Sequence, residues 1–210
     1  MAVEVEVKLA FQEGFIDSQI EGVETVLKNL GYELGFVEKE LVNYYYDTPD
    51  FLLNKNKVAL RIRRKSNDQG GSVFIQTLKT AGQSINGLSQ RGEWEWPVAE
   101  NSLDVSKLDA CEAWPEFVEL KNLRVVFETN FIRYQTNIHW RGSIIELVVD
   151  WGIIVSNDKQ EQIHEIELEL KQGQEVDLKS LSEQLKKQLP LMPSDISKAE
   201  RGFKLFQTQA

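Results

Sequence analysis

Near its start the chain reads Glu4-Val5-Glu6-Val7-Lys8, a charged residue at every second position with valine between. Successive side chains of an extended strand point to opposite faces. Glu4, Glu6 and Lys8 therefore share one face, and Val3, Val5, Val7 and Leu9 the other. Valine favours strands, and strict alternation over this length predicts a strand rather than a helix. The charged face then looks either into bulk water over an ordinary apolar core or into a charged interior that binds something charged.

The same alternation returns along the chain. Strands are predicted at 3–10, 41–47, 57–64, 73–79, 90–97, 127–136, 142–149 and 162–170. Arg61 and Arg63 oppose Leu60 and Ile62. Lys79 shares a face with Thr77, and Arg91, Glu93 and Glu95 oppose Trp94 and Trp96. Arg133 lies with Phe131 and Gln135, and Glu146 and Asp150 with Ile144 and Val148. Glu165, Glu167 and Glu169 oppose Ile166, Leu168 and Leu170. One such strand is best read as solvent-facing; six or more together are not. Their opposite faces are rich in Val, Ile, Leu and Trp and need cover. Their charged faces also divide by sign, with Glu4, Glu6, Glu165, Glu167 and Glu169 against Lys8, Arg61, Arg63, Lys79, Arg91 and Arg133, and a solvated surface has no need of that.

Helices can supply the cover. Ile16, Ile20, Val23, Val26, Leu27 and Leu30 follow helical spacing, and Gly31 is placed to end that helix. Leu178, Leu181, Leu185 and Leu189 do the same, with Asp177 as N-cap and Pro190 beyond. A short last helix is predicted over 196–207, and a helical turn or two within 100–123. Short connections favour antiparallel pairing over βαβ units. Eight strands can close into a barrel wide enough for side chains or one small ligand. The expected fold is α+β: an eight-stranded antiparallel β-barrel, a tunnel with a charged interior, flanked by amphipathic helices.

Three glutamates on one inward face would repel each other unless neutralised, and a divalent cation neutralises them. All-oxygen ligands select a hard ion, Mg²⁺ or Mn²⁺. Arg61 and Arg63, two residues apart, suit bidentate contacts to phosphate. Carboxylates, metal and arginines in one cavity are the parts of phosphoryl transfer to water, and basic side chains on several strands favour a linear polyanion. The net charge of -9 argues against a nucleic-acid surface but not against a small anion. No apolar run approaches a membrane span and no signal peptide is visible. The single cysteine, Cys111, cannot form an internal disulfide, and a reducing cytoplasm is its natural compartment. His139 and His164 lack companions at zinc-ligand spacing, Cys111 lacks a catalytic partner, and Trp94, Trp96, Trp140 and Trp151 read as packing residues. Asp17, Glu21 and Glu24 suit a solvated helix face. No P-loop is present.

Glu4-x-Glu6-x-Lys8 resembles the N-terminal signature of the CYTH superfamily, the triphosphate tunnel metalloenzymes. Asn43-Tyr44-Tyr45-Tyr46-Asp47-Thr48-Pro49, Leu60-Arg61-Ile62-Arg63, Leu78-Lys79, Arg91-Gly92-Glu93, Glu165-Ile166-Glu167 and Ser197-Lys198-Ala199 follow in the family's order. The resemblance covers nearly all of the chain, a single domain over 1–210, and is nearest to the bacterial inorganic triphosphatases. Many of those carry a second, helical phosphate-binding domain, which a chain ending at Ala210 is too short to hold, so the resemblance implies either a stand-alone form or a truncated piece. The resemblance implies hydrolysis of triphosphate to pyrophosphate and phosphate. Glu4, Glu6, Asp150, Glu165, Glu167 and Glu169 would surround Mg²⁺ or Mn²⁺. Lys8, Arg61, Arg63, Lys79, Arg91, Arg133 and Lys198 would hold the phosphates, with Lys8, Glu4 and Glu6 as the catalytic residues and Glu93 and Glu95 orienting basic neighbours. The partner would be a small-molecule triphosphate, with no nucleic acid or membrane, and the chain a monomer or homodimer. An adenylate cyclase or thiamine triphosphatase on the same scaffold, or a non-catalytic polyphosphate-binding module, are the alternatives.

Overall fold

The computed structural model describes residues 2–12, 19–33, 35–66, 71–80 and 82–207. In chain order the elements are β1 (Ala2–Phe11), α1 (Gln19–Asn29), β2 (Val37–Asp47), α2 (Leu52–Lys55), β3 (Ala59–Ser66), β4 (Ser72–Lys79), β5 (Gln83–Ile85), β6 (Leu88–Val98), α3 (Val105–Asp109), β7 (Arg124–Trp140), β8 (Ser143–Ser156), β9 (Lys159–Gln172), α4 (Glu175–Gln188), β10 (Leu191–Pro193) and α5 (Lys198–Gln207). A 3₁₀ turn, Leu120–Asn122, precedes β7. None of the described helices is long and apolar enough to cross a membrane.

Hydrogen-bonded order around the sheet is β1-β9-β8-β7-β2-β3-β4-β6, and β6 pairs back onto β1, with Glu4 opposite Arg91 and Val7 opposite Leu88. Every pairing is antiparallel, so eight strands close into the expected barrel. The short β5 and β10 add to β6 and β1 at one end; three residues each are too few for alternation to reveal.

The strands run longer than their alternating cores. β2 begins at Val37 rather than 41, and β7 and β8 extend to 17 and 14 residues. Helix α1 ends as expected at Gly31, whose φ is 90°. The Gly31 N–H bonds the Lys28 carbonyl at 3.0 Å and the Tyr32 N–H bonds that of Leu27 at 2.9 Å, the paired closure of a glycine-terminated helix. Ile16 and Asp17 lie outside the described residues. Helix α4 differs: its N-cap is Gln174, not Asp177. Ser143, from the β7–β8 turn, accepts from the Gln174 N–H at 3.0 Å and donates to Asp177 at 2.6 Å. A hydroxyl from elsewhere in the fold thus serves the end that Asp177 was expected to cap, and the helix gains a first turn. Helix α5 starts at Lys198 rather than 196.

Two apolar layers cover the barrel's outer face. Val23, Val26 and Leu27 of α1 and Leu178, Leu181 and Leu185 of α4 pack on Val7, Leu9, Leu147, Val149, Ile166 and Leu168. On the far side, Leu53, Leu108, Cys111 and Trp114 pack on Leu60 and Leu78, with Trp94 and Trp96 against them. Full burial of each such aliphatic side chain is worth about 1.5–3 kcal/mol. A third cluster, Leu41, Tyr45, Phe127, Phe131, Ile154, Ile163 and Phe203, belongs to the inward-facing positions and fills one end under α5. Gly202 of α5 lies against the Phe127 ring, where a Cβ would meet it at 2.1 Å.

Candidate functional site

Closing the barrel turns the charged faces inward onto a cavity of about 740 Å³. Glu4, Glu6 and Lys8 line it, as do Arg61, Arg63, Lys79, Arg91, Arg133, Glu167, Glu169 and Lys198. Val7 and Leu9 lie in the outer core. Of the residues assigned from sequence to metal or phosphate, only Asp150 and Glu165 are absent from the cavity wall. They are fully buried behind Lys198.

The charges interlock rather than divide by sign. Antiparallel register sets β6 beside β1, so opposite charges meet across strands. Arg91 Nε donates to Glu4 at 2.9 Å and its Nη2 to Glu6 at 2.7 Å, while Ser89 donates to Glu6 at 3.0 Å. Lys79 Nζ bonds both Glu4 oxygens at 3.0 and 2.8 Å and lies 3.1 Å from Glu93. Burial alone would raise the Glu4 carboxyl, but Lys79 and Arg91 outweigh it and hold it at about 2.

Deeper in, Asp150, Glu165 and Glu167 bring carboxylate oxygens within 4.8 Å of one another. Lys198, the first residue of α5, reaches into this group. Its Nζ is 2.7 Å from Asp150 and 3.0 Å from Glu167, and it also bonds Glu165. Arg133 clamps Asp150 with two bonds of 2.7 Å and touches Glu167 at 2.9 Å. Arg201 bonds Glu165 at 3.0 Å and Glu161 at 2.6 Å. Desolvation works against charge on Asp150, Glu167, Lys198 and Arg133, yet the pairing prevails. Asp150 and Glu167 are held below the usual carboxylate range by Arg133 and Lys198, and Lys198 is pushed up by its three acids. Lys198 and Arg133 both also lie over the Phe131 ring, at 5.3 and 5.7 Å. Glu169 stands apart. It pairs with Lys171 at 2.8 Å, and burial, with Glu4 and Glu146 nearby, pushes its carboxyl up.

The wall formed by β2 and β3 is different. Arg63 donates to the neutral Asn43 amide oxygen at 2.7 Å, and burial beside Arg61 and Arg133 lowers it to about 9. Arg61 reaches Glu93 only at 3.9 Å and the Tyr45 hydroxyl at 3.5 Å, and its Nε is buried without a partner. Lys8 is 3.9 Å from Glu167. These three cations are loosely held among the described residues, and an anion entering the cavity would complete their hydrogen bonding.

For a divalent cation the donors fit in kind. Glu4, Glu6, Glu167 and Glu169 offer oxygens to the cavity, and no histidine or cysteine lies on its wall. Glu167 alone belongs both to the wall and to the buried trio. Asp150 and Glu165 could join such a centre only with Lys198 displaced.

Sequence reasoning missed Lys39, Lys65, Asn43 and Arg201. Lys65 follows from one more step of the Arg61–Arg63 alternation. Lys39 lies in the part of β2 that precedes the expected start at 41, and Arg201 stands three positions after Lys198 on α5. His164, against the Trp151 ring at 4.4 Å, and the exposed His139 stay outside the cavity wall.

The CYTH domain profile matches residues 2–203. The inorganic triphosphatase of Haemophilus influenzae is 33% identical over 212 residues, covering 100% of this chain and 56% of the relative, so the chain spans about half that protein's length. Among solved structures, a protein from Hippeastrum described as a putative adenylyl cyclase with a dominant triphosphatase activity superposes with TM-score 0.63 at 21% identity, covering 98% of this chain and 95% of that one. A protein from Pyrococcus horikoshii gives TM-score 0.56 at 22% identity, over 96% and 98%. At such identities the two structures speak for the fold alone, and they agree with the profile. With the motifs in order, the barrel closed and the charges turned inward, the chain belongs to the CYTH domain family.

Proposed function

We propose that the chain is a Mg²⁺- or Mn²⁺-dependent inorganic triphosphatase that hydrolyses triphosphate to pyrophosphate and phosphate. The observation that carries this is the pairing, in one cavity, of cavity-facing carboxylates with cations that lack close acidic partners. The likeness to an inorganic triphosphatase over the whole of this chain supports it. Arg61 and Arg63 bind non-bridging phosphate oxygens, with guanidinium geometry suited to two bonds each. Lys8 steadies the terminal phosphate or the attacking water, between the acids of β1 and those of β9. Glu93 holds Lys79 and Arg61 in place, and Glu95, bonded to Thr77 at 3.1 Å, supports the same wall. Glu4, Glu6, Glu167 and Glu169 would hold the metal; Asp150 keeps Arg133 and, together with Glu165, Lys198 charged and aimed. A divalent cation so placed supplies charge neutralisation on the transferring phosphoryl group.

The test is phosphate release from triphosphate, thiamine triphosphate and ATP with Mg²⁺, Mn²⁺ or EDTA. Triphosphate should be turned over fastest, only with metal, and Glu4→Gln should abolish it. Absence of turnover with either metal would sink the proposal. Cyclic AMP formed from ATP, or faster turnover of thiamine triphosphate, would move it to an organic substrate. Tight anion binding indifferent to EDTA, without turnover, would make the chain a binding module.

A further inference from the structure

The proposed grip on triphosphate uses Lys8, Arg61 and Arg63, but the β2–β3 wall continues past them. Lys65 is the next inward residue of β3, and Lys39 is the inward residue two before Leu41, to which Lys65 is paired. Both side chains are half-buried on the cavity wall. Lys39 Nζ is held at 2.8 Å by the neutral Gln135 amide oxygen, and no ion pair of Lys65 occurs among the described residues. The rest of this mouth is balanced: Lys171 bonds Glu146 and Glu169 at 2.8 Å each. Even Arg64, facing outward between Arg63 and Lys65, lies 3.7 Å from Glu40. Along β3, then, Arg63 and Lys65 have no ion pair among the described residues, and Arg61 has only the 3.9 Å contact with Glu93. The row from Arg61 to Lys65 covers about 13 Å of strand. Half-buried cations left without counter-charge are costly unless an anion supplies it, and a row of them matches a linear anion rather than a compact one.

We propose that Lys39 and Lys65 form an outer subsite for the fourth and later phosphates of a linear inorganic polyphosphate, so that the cavity prefers chains longer than triphosphate. This rests on the reading that the inner cations take the first phosphates. The two residues act as specificity determinants and take no part in holding triphosphate.

The test compares dissociation constants of triphosphate and tetraphosphate by calorimetry with Mg²⁺, in a Glu4→Gln background so that hydrolysis does not intrude, and KM for both chains in the otherwise unaltered protein. Tetraphosphate should bind about tenfold more tightly. Lys39→Gln with Lys65→Gln should remove that advantage, leave triphosphate affinity and triphosphate turnover unchanged, and not lower the melting temperature. Equal affinity for the two chains, equal weakening of both by the double variant, or no binding of either overturns the subsite. A retained chain-length ratio without any phosphate release would instead remove the triphosphatase reading and keep the subsite.

Discussion

Two cations of the cavity carry opposite energetic signs. Lys198 is surrounded by Asp150, Glu165 and Glu167, and its removal leaves buried acids with one partner fewer. Breaking a buried ion pair from one side costs about 3–5 kcal/mol. Arg63 is the reverse. It is buried beside Arg61 and Arg133, lowered to about 9, and bonded to a neutral amide. Its charge is a cost to the fold that a bound anion would offset. Lys198→Met should therefore lower the urea midpoint sharply, a loss of about 3–5 kcal/mol in unfolding free energy. Arg63→Met should leave it unchanged or raise it while weakening triphosphate binding. A large loss of stability in Arg63→Met would contradict the unpaired-cation reading. Arg63 could be found from alternation alone. That it lacks a carboxylate while Arg91 has two follows only from which strands become neighbours, and local sequence carries no trace of that.

At the scale of elements, Lys8 is fixed by a hairpin that periodicity does not reveal. β5 and β6 meet through Asn86 and Gly87, both at positive φ. The Lys8 N–H donates to the Gly87 carbonyl at 2.8 Å, and the Lys8 carbonyl accepts from Ser194 at 3.0 Å. Asp195 ties the hairpin down, accepting from the Gly87 N–H at 2.7 Å and from Ser84 at 2.8 Å. A Cβ on Gly87 would meet the Lys8 carbonyl oxygen, a backbone atom, at 2.5 Å, and the φ of 84° would add strain. Gly87→Ala should thus displace β1 at Lys8 and reduce kcat on triphosphate more than it raises KM. A kcat unchanged within twofold would show that the hairpin does not set Lys8. The long strands and the two main helices were legible because their periods extend over many residues. The hairpin and β10 were not, since three-residue strands carry no period, and the capping of α4 was misread because Ser143 reaches it from a distant turn.

For the whole molecule, the barrel turns a sequence of alternating strands into a charged interior enclosed by two apolar layers. Its closure was legible as a class, because eight amphipathic strands with one charged face each leave few other ways to cover both faces. The pairing of β6 with β1, and with it the interlocked charges, was not, because register depends on all the strands at once. That interior also sets how the fold responds to acid. Glu4, Asp150 and Glu167 all lie below the ordinary carboxylate range in the folded chain, each against the pull of burial and because of named cations. A depressed folded value means that the unfolded chain takes up protons first as pH falls. The stability these groups contribute is therefore fully present above about 4.5 and is lost between there and about 2, the value of Glu4. Glu169, pushed up instead, works weakly the other way and releases its proton at higher pH. The urea midpoint should hold from neutral pH down to about 5 and then fall steeply. Glu4→Gln should start lower and fall less steeply, since Lys79 and Arg91 then lose one titrating partner. A midpoint that stays flat down to pH 3 would mean that the interior ion pairs are not what holds these carboxylates charged.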